Sequence, residues 1–165
     1  MALQNAVGLN YALGIAGQQV VIGQAEYLAY NPLSDGTVKA GAFCFKQAGS
    51  GNGEVFAHAS LTGTDVLGFV ERVVDSYIPT VGGDATQVYP AGAALTVAIR
   101  GQYYIEAPAA ITADGLKVWI DGSTGAIRIG AEDSGSTEID TGWICRIPNG
   151  GTSAAQGDIV IVERF

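Results

Sequence analysis

The chain has 165 residues and carries 16 acidic against 8 basic side chains, a net charge of −8. With its five arginines and three lysines scattered singly, that balance excludes a protein that wraps nucleic acid or lies on an acidic membrane, since both need clustered cations. Its 24 glycines, 15% charged residues and mean hydropathy of +0.26 describe a chain rich in turns, too apolar for disorder and long enough to bury one core.

The first residues, MALQNAVGLNYALGIAG, have no basic region, and Gln4, Asn5 and Asn10 interrupt their apolar side chains. They therefore predict neither a secretory signal nor a spanning helix, and synthesis in the cytoplasm is the expectation. Residues 1–18 show no lasting period of two or 3.6 and read as an extended N-terminal arm; residues 19–165 read as a single β domain. A terminus of this kind orders only where something ties it down.

Gln19–Gly23 and Glu26–Tyr30 are short strand candidates, followed by a turn cluster at Asn31–Gly36. Ala42–Lys46 resumes as a strand. The glycine-rich stretch Gln47–Gly53 invites a phosphate-loop reading but lacks the Gly-Lys-Ser/Thr ending, so it is an ordinary loop. Val55–Ala59 is a further strand. In Thr64–Tyr77 helical spacing competes with valine content and an internal Gly68, and strand is favoured.

Two hairpins are expected next. One pairs Ala94–Arg100 with Tyr103–Ala107 across Gly101-Gln102; the other pairs Gly115–Ile120 with Ala126–Ile129 across Asp121–Gly125. The first is apolar on both faces, which calls for a core on one side and a second sheet or sister subunit on the other. Glu138–Ile147 is a long strand with a bulge or bend at Gly142, and Gly157–Arg164 ends the chain as a strand apolar on both sides. About ten short strands with glycine turns define an all-β fold, an antiparallel β-sandwich or barrel.

No constellation of chemistry-bearing residues stands out. His58 is the only histidine, and Ser60 and Asp65 beside it lack a nucleophile motif. Cys44 and Cys145 lie far apart in apolar runs and read as buried free thiols. Glu132, Asp133, Glu138 and Asp140 lack the alternation of a calcium loop. The expectation is no catalytic, cofactor-binding or metal-binding residue and no cofactor. Tyr103, Tyr104, Trp119 and Trp143 leave open a carbohydrate-binding or adhesion module as the alternative, although core packing accounts for them equally well.

The order of motifs resembles the structural cement, or capsid decoration, proteins of tailed bacteriophages. It runs from the arm with Gly14-Ile15-Ala16-Gly17 to Gly68-Phe69-Val70-Glu71-Arg72. Tyr89-Pro90-Ala91-Gly92, Leu95-Thr96-Val97 and Gly101-Gln102-Tyr103-Tyr104-Ile105 follow. Gly115-Leu116-Lys117-Val118-Trp119, Thr124-Gly125-Ala126-Ile127, Thr141-Gly142-Trp143 and Gly157-Asp158-Ile159-Val160-Ile161 complete the series. Each motif alone is generic; the order carries the likeness. Gly49–Gly53, Val81–Asp84 and Glu71 depart from the pattern.

The resemblance implies a non-enzymatic virion protein on the capsid surface. It would bind the outside of the assembled head as a homotrimer and clamp major capsid protein subunits, without direct contact to nucleic acid or membrane. The arm residues Leu3, Val7, Leu9, Tyr11, Leu13 and Ile15 are the candidate capsid or inter-subunit contacts, with loops Gly49–Gly53 and Gly130–Ser136 as candidate rims.

Overall fold

The computed structural model describes residues 14–21, 23–46, 55–57, 66–73, 88–133, 135 and 137–165. They form β1 (Glu26–Tyr27), β2 (Leu33–Ser34), β3 (Phe43–Lys46), β4 (Val55–Ala57), β5 (Val66–Val70), β6 (Val97–Glu106), β7 (Lys117–Asp121), β8 (Ile127–Gly130), β9 (Glu138–Arg146) and β10 (Ile159–Arg164). The sheet order is β2-β4-β3-β5-β6-β10-β9-β7-β8, with β1 also on β6. Among the described residues the one helical element is a 3-10 turn at Pro148–Gly150. Every pair is antiparallel except β2 with β4. The all-β expectation holds as a single sheet that curls until its two halves face each other.

The inside of the curl is aromatic. Trp143 of β9 lies 5.7 Å from Phe43 of β3, 5.9 Å from Phe69 of β5 and 6.1 Å from Tyr103 of β6, measured between ring centroids. Val118, Ile120, Cys145, Val160 and Val162 are among the side chains that pack around these rings. Tilted and edge-on ring contacts of this kind stabilise beyond the area they bury, by about 0.5–1.5 kcal/mol a pair.

The expected hairpin at Gly101-Gln102 is not formed. β6 runs unbroken through both residues and pairs along Gly101–Glu106 with β10. Ala98 and Tyr103 both belong to the inner cluster, yet positions an odd number apart cannot share one face of a regular strand. The phase therefore changes within β6. The site of change is marked by the slipped register against β1, where Glu26 pairs with Arg100 but Tyr27 with Ala98, and by Gly101 at φ 137°. A mid-strand phase change leaves the same trace in sequence as a turn: glycine between two apolar runs out of step.

The second hairpin forms as expected, with Lys117 opposite Gly130 and Ile120 opposite Ile127. The Asp121 carboxylate accepts the Ser123 and Thr124 N–H groups at 2.7 and 3.2 Å, and Gly125 closes the turn at φ 71°. The bulge at Gly142 is also present. Val118 pairs with Trp143 while Trp119 pairs with Asp140, which leaves Thr141 and Gly142 as the extra residues. The buried Thr141 hydroxyl donates to the Val118 carbonyl at 2.7 Å, and Asp140 accepts the Gly142 N–H at 2.8 Å and the Lys117 ammonium at 2.8 Å. Burial pushes the Asp140 carboxyl up, but these bonds outweigh it and the net direction is down.

The outer face around β3, β5 and the start of β6 holds a second apolar cluster of Val38, Ala40, Cys44, Val70, Tyr89, Leu95 and Val97. Within the chain, Leu95 and Val97 are already buried, covered by its own segments around residues 28–42 and 88–95, tied by Leu28 N–H to Val97 O at 3.0 Å, Leu95 N–H to Pro32 O at 2.8 Å and Tyr89 N–H to Val38 O at 2.8 Å. The final strand β10 lies between β6 and β9, with Val160 and Val162 fully buried inside and Ile159 and Ile161 half-buried outside.

Two tests follow from this packing. At Gly68 an added Cβ would sit 2.3 Å from the Ala98 carbonyl oxygen, so Gly68→Ala is expected to lose about 3 kcal/mol in urea unfolding although it adds only a methyl group. Cys44 and Cys145 are free and buried, and burial pushes both thiols up to about 12. A disulfide-exchange reagent at pH 8 is expected to titrate neither thiol in the native protein and both in denaturant; rapid native reaction at either would contradict the packing.

Candidate functional site

Residues 14–20, which include the described residues of the expected arm, are wedged against the rest of the chain by small residues and backbone bonds. Gly17 donates its N–H to the Tyr104 carbonyl at 2.8 Å and accepts the Arg72 N–H at 2.9 Å. Tyr104 N–H returns to Gln18 O at 2.9 Å, and Val20 N–H reaches Gln102 O at 2.8 Å. Gln19 faces Tyr103 across the same pairing. Residues 17–20 thus pair with β6 through an isolated bridge and, through Arg72, reach the residues just after β5.

Glycine is required here because backbone meets backbone. Gly17 has φ 85°, and its missing Cβ would lie 2.9 Å from the Gly41 nitrogen; the missing Cβ of Gly41, at φ 76°, would lie 3.0 Å from the Gly17 nitrogen. At Gly14 a Cβ would stand 2.2 Å from the Tyr104 ring. Beside this anchor Ile15 is 53% exposed. Of the expected contact residues, Ile15 alone lies among those described; Leu3, Val7, Leu9, Tyr11 and Leu13 fall outside them.

Three hydroxyls meet around Glu71, next to the anchor. Tyr89 donates to the Glu71 carbonyl at 3.0 Å, and Tyr103 reaches the Tyr27 hydroxyl at 3.5 Å. Burial pushes the Tyr103 and Tyr27 phenols up, and the Glu71 carboxylate adds to this. The phenols stay protonated and act as structural donors.

The aromatic platform is not built. Trp143 and Tyr103 are core residues at 0% exposure. Trp119 lies on the outer face with its indole N–H on the Gly130 carbonyl at 3.0 Å, and the Lys117 ammonium and Arg128 guanidinium sit 5.2 and 5.8 Å from the ring centre. Three acidic side chains of the 130–140 region are likewise engaged. Glu138 pairs with Arg128, Asp140 pairs with Lys117, and Asp133 accepts the Gly135 N–H at 2.7 Å; Arg128 Nη2 also donates to the Glu132 backbone carbonyl at 2.6 Å. Among the described residues no group of three metal-ligating side chains converges. His58, Ser60, Asp65 and the Gly49–Gly53 rim lie outside the described residues.

Sequence reasoning quoted the Gly-Ile-Ala-Gly run but missed what it meets. Gly41 gave no signal, because a close approach between distant backbones leaves no local pattern. Gly17→Val is expected to destabilise the anchor by about 1–3 kcal/mol from positive φ alone, and more from the clash with Gly41. Limited proteolysis followed by mass spectrometry checks this: cleavage near residues 14–21 should accelerate well before the body is cut, and unchanged protection would contradict the anchor.

The family model described as structural cement protein (E217 gp24/Pam3 gp6) matches residues 3–164. No curated protein sequence matches the chain. A solved chain from the capsid of Myoviridae phage XM1 superimposes with a TM-score of 0.64 at 18% identity, over 99% of this chain and 97% of that one. Likeness at that identity establishes a shared fold. With the family model spanning nearly every residue, the chain belongs to the phage structural cement protein family.

Proposed function

We propose that this protein decorates the outer surface of an assembled phage head and stabilises contacts between major capsid protein subunits. The family match over residues 3–164 carries the reading. Membership in a structural family places the protein among capsid-associated components; outer-surface binding, a non-enzymatic mode of action and a homotrimeric state are the finer parts of the proposal. Residues 1–18 act as a contact arm and residues 19–165 as the body that presents it.

The physical mode is linkage. A protein that binds the assembled lattice and not free subunits shifts the equilibrium towards the shell, by about 2.7 kcal/mol per site at a free concentration one hundred times its dissociation constant. Many weak sites on one lattice then sum to a large effect. A body held by a dry aromatic core and an arm held by backbone bonds suit this role, because binding spends little free energy on ordering the body.

The expected outcome is a trimer by light scattering in solution and saturable cosedimentation with expanded capsids of the cognate shell protein. Those capsids should withstand heat or chelator better with the protein bound. A monomer that stays in the supernatant while the capsids pellet would sink the proposal.

A further inference from the structure

The path of the sheet has two ends, and the chain closes only one of them. At the first end β2 pairs with β4 on one side. Its other side is covered by residues 92 and 93: the Ser34 N–H donates to the Ala93 carbonyl at 2.8 Å and the Gly92 N–H to the Ser34 carbonyl at 2.7 Å. At the far end β8 has β7 alone as its neighbour. The Asp121 N–H donates to the Ala126 carbonyl at 3.0 Å, and Ile120 stands opposite Ile127 and Trp119 opposite Arg128. That fixes the parity of the ladder: the backbone groups of Ala126, Arg128 and Gly130 point towards β7, and those of Ile127 and Ile129 point away from it. Among the described residues no group bonds the outward N–H and C=O of these two isoleucines.

Exposed sheet edges are ordinarily guarded by lysine, proline, a bulge or shortness. Apart from its length of four residues, β8 has none of these. Its register with β7 is unbroken, and its single charge, Arg128, leans back across the sheet over the Trp119 ring to Glu138. Ile127 and Ile129 are half-buried and carry the inner row of Val118 and Ile120 out to the edge. The core therefore stops here with apolar side chains and open backbone groups side by side.

We propose that β8 is a docking edge, to which an extended segment of a neighbouring capsid protein adds as a further strand by bonding the outward N–H and C=O groups of Ile127 and Ile129. This rests on the capsid reading above and places a contact on the body of the protein. Strand addition demands an occupant with alternating side chains, apolar where they face inward beside the two isoleucines. Charge sets its flank. Glu132 and Asp133 are exposed just beyond β8, so the incoming segment carries Lys or Arg where it passes them. A second copy of the chain fits poorly. The antiparallel register that uses Ile127 and Ile129 of both copies sets Arg128 opposite Arg128, and each copy brings a net charge of −8.

The test reads hydrogen exchange in full-length wild type, free and bound to expanded capsids of the cognate shell protein that lack it. In the free protein the Ile127 and Ile129 amides should exchange at least about tenfold faster than that of Arg128; on capsids both should become protected. Ile129→Pro removes an outward donor and no bond to β7, a change that an edge strand tolerates. It is expected to cosediment about tenfold more weakly, whereas Ile129→Val, which keeps the N–H, should stay within about threefold of wild type. Glu132→Lys with Asp133→Lys should also weaken binding about tenfold at low salt, with the difference shrinking as salt is added. Wild type that binds capsids while both isoleucine amides still exchange freely would overturn the edge assignment and leave the capsid reading standing, whether or not Ile129→Pro folds. Amides already protected in a free oligomer would make a second copy the occupant and overturn the proposal. Charge reversal without effect would overturn the basic flank. Wild type that fails to bind capsids removes the capsid reading and this inference together.

Discussion

The fold depends on β6 serving two sheet halves at once. Its first part pairs with β5 and its second with β10, so the sheet can curl only if one strand keeps apolar side chains inward on both sides of a bend. The phase change marked by Gly101 does this, placing Ala98 and Tyr103 in the same interior. Tyr103 then meets Phe69 at 4.8 Å and Trp143 at 6.1 Å, which joins the halves through side chains as β6 joins them through backbone. A regular strand would turn either Ala98 or Tyr103 to solvent and leave the two halves without a common core.

The arm anchor is built on that same strand. Gln102 and Tyr104 supply the carbonyls and N–H that hold residues 17–20, so the segment that would carry the partner contact is fixed to the most constrained part of the sheet. Gly41 and Arg72 close the anchor from the other side. The charged outer face supports this arrangement by holding strands in register: Arg146 bridges Asp114 and Glu163 at 3.0 and 2.6 Å, and Gln102 donates to Glu163 at 2.8 Å. Glu163 is buried, so its two contacts are less screened by solvent than the exposed Arg146–Asp114 pair.

Much of the architecture was legible because it is local. Asp121–Gly125 is a turn on its own chemistry, Gly142 falls where an alternating strand must absorb extra residues, and the valines of Val66–Val70 favour strand over the helical spacing that competes with it. What misled was also local. Gly101-Gln102 between two apolar runs carries the marks of a tight turn, and only the partners β1, β5 and β10 distinguish a turn from a change of phase. Trp143 and Tyr103 read equally as a sugar platform or as core, because an aromatic ring in an alternating strand does not say which face is dry.

The sequence by itself determined the class of this protein: an all-β chain with glycine turns, two buried thiols, an uncharged N-terminus and a motif order that resembles phage cement proteins. Those properties depend on residue type and short spacing, which the chain carries wherever it folds. Tertiary structure decided the rest. Which face of each strand is core, that Gly17 and Gly41 touch, that β6 continues through Gly101, and that residues around 28–42 and 88–95 cover the outer apolar face all depend on contacts between positions far apart in the chain. Such contacts are selected by shape and burial summed over many partners, and no single stretch of sequence contains that sum.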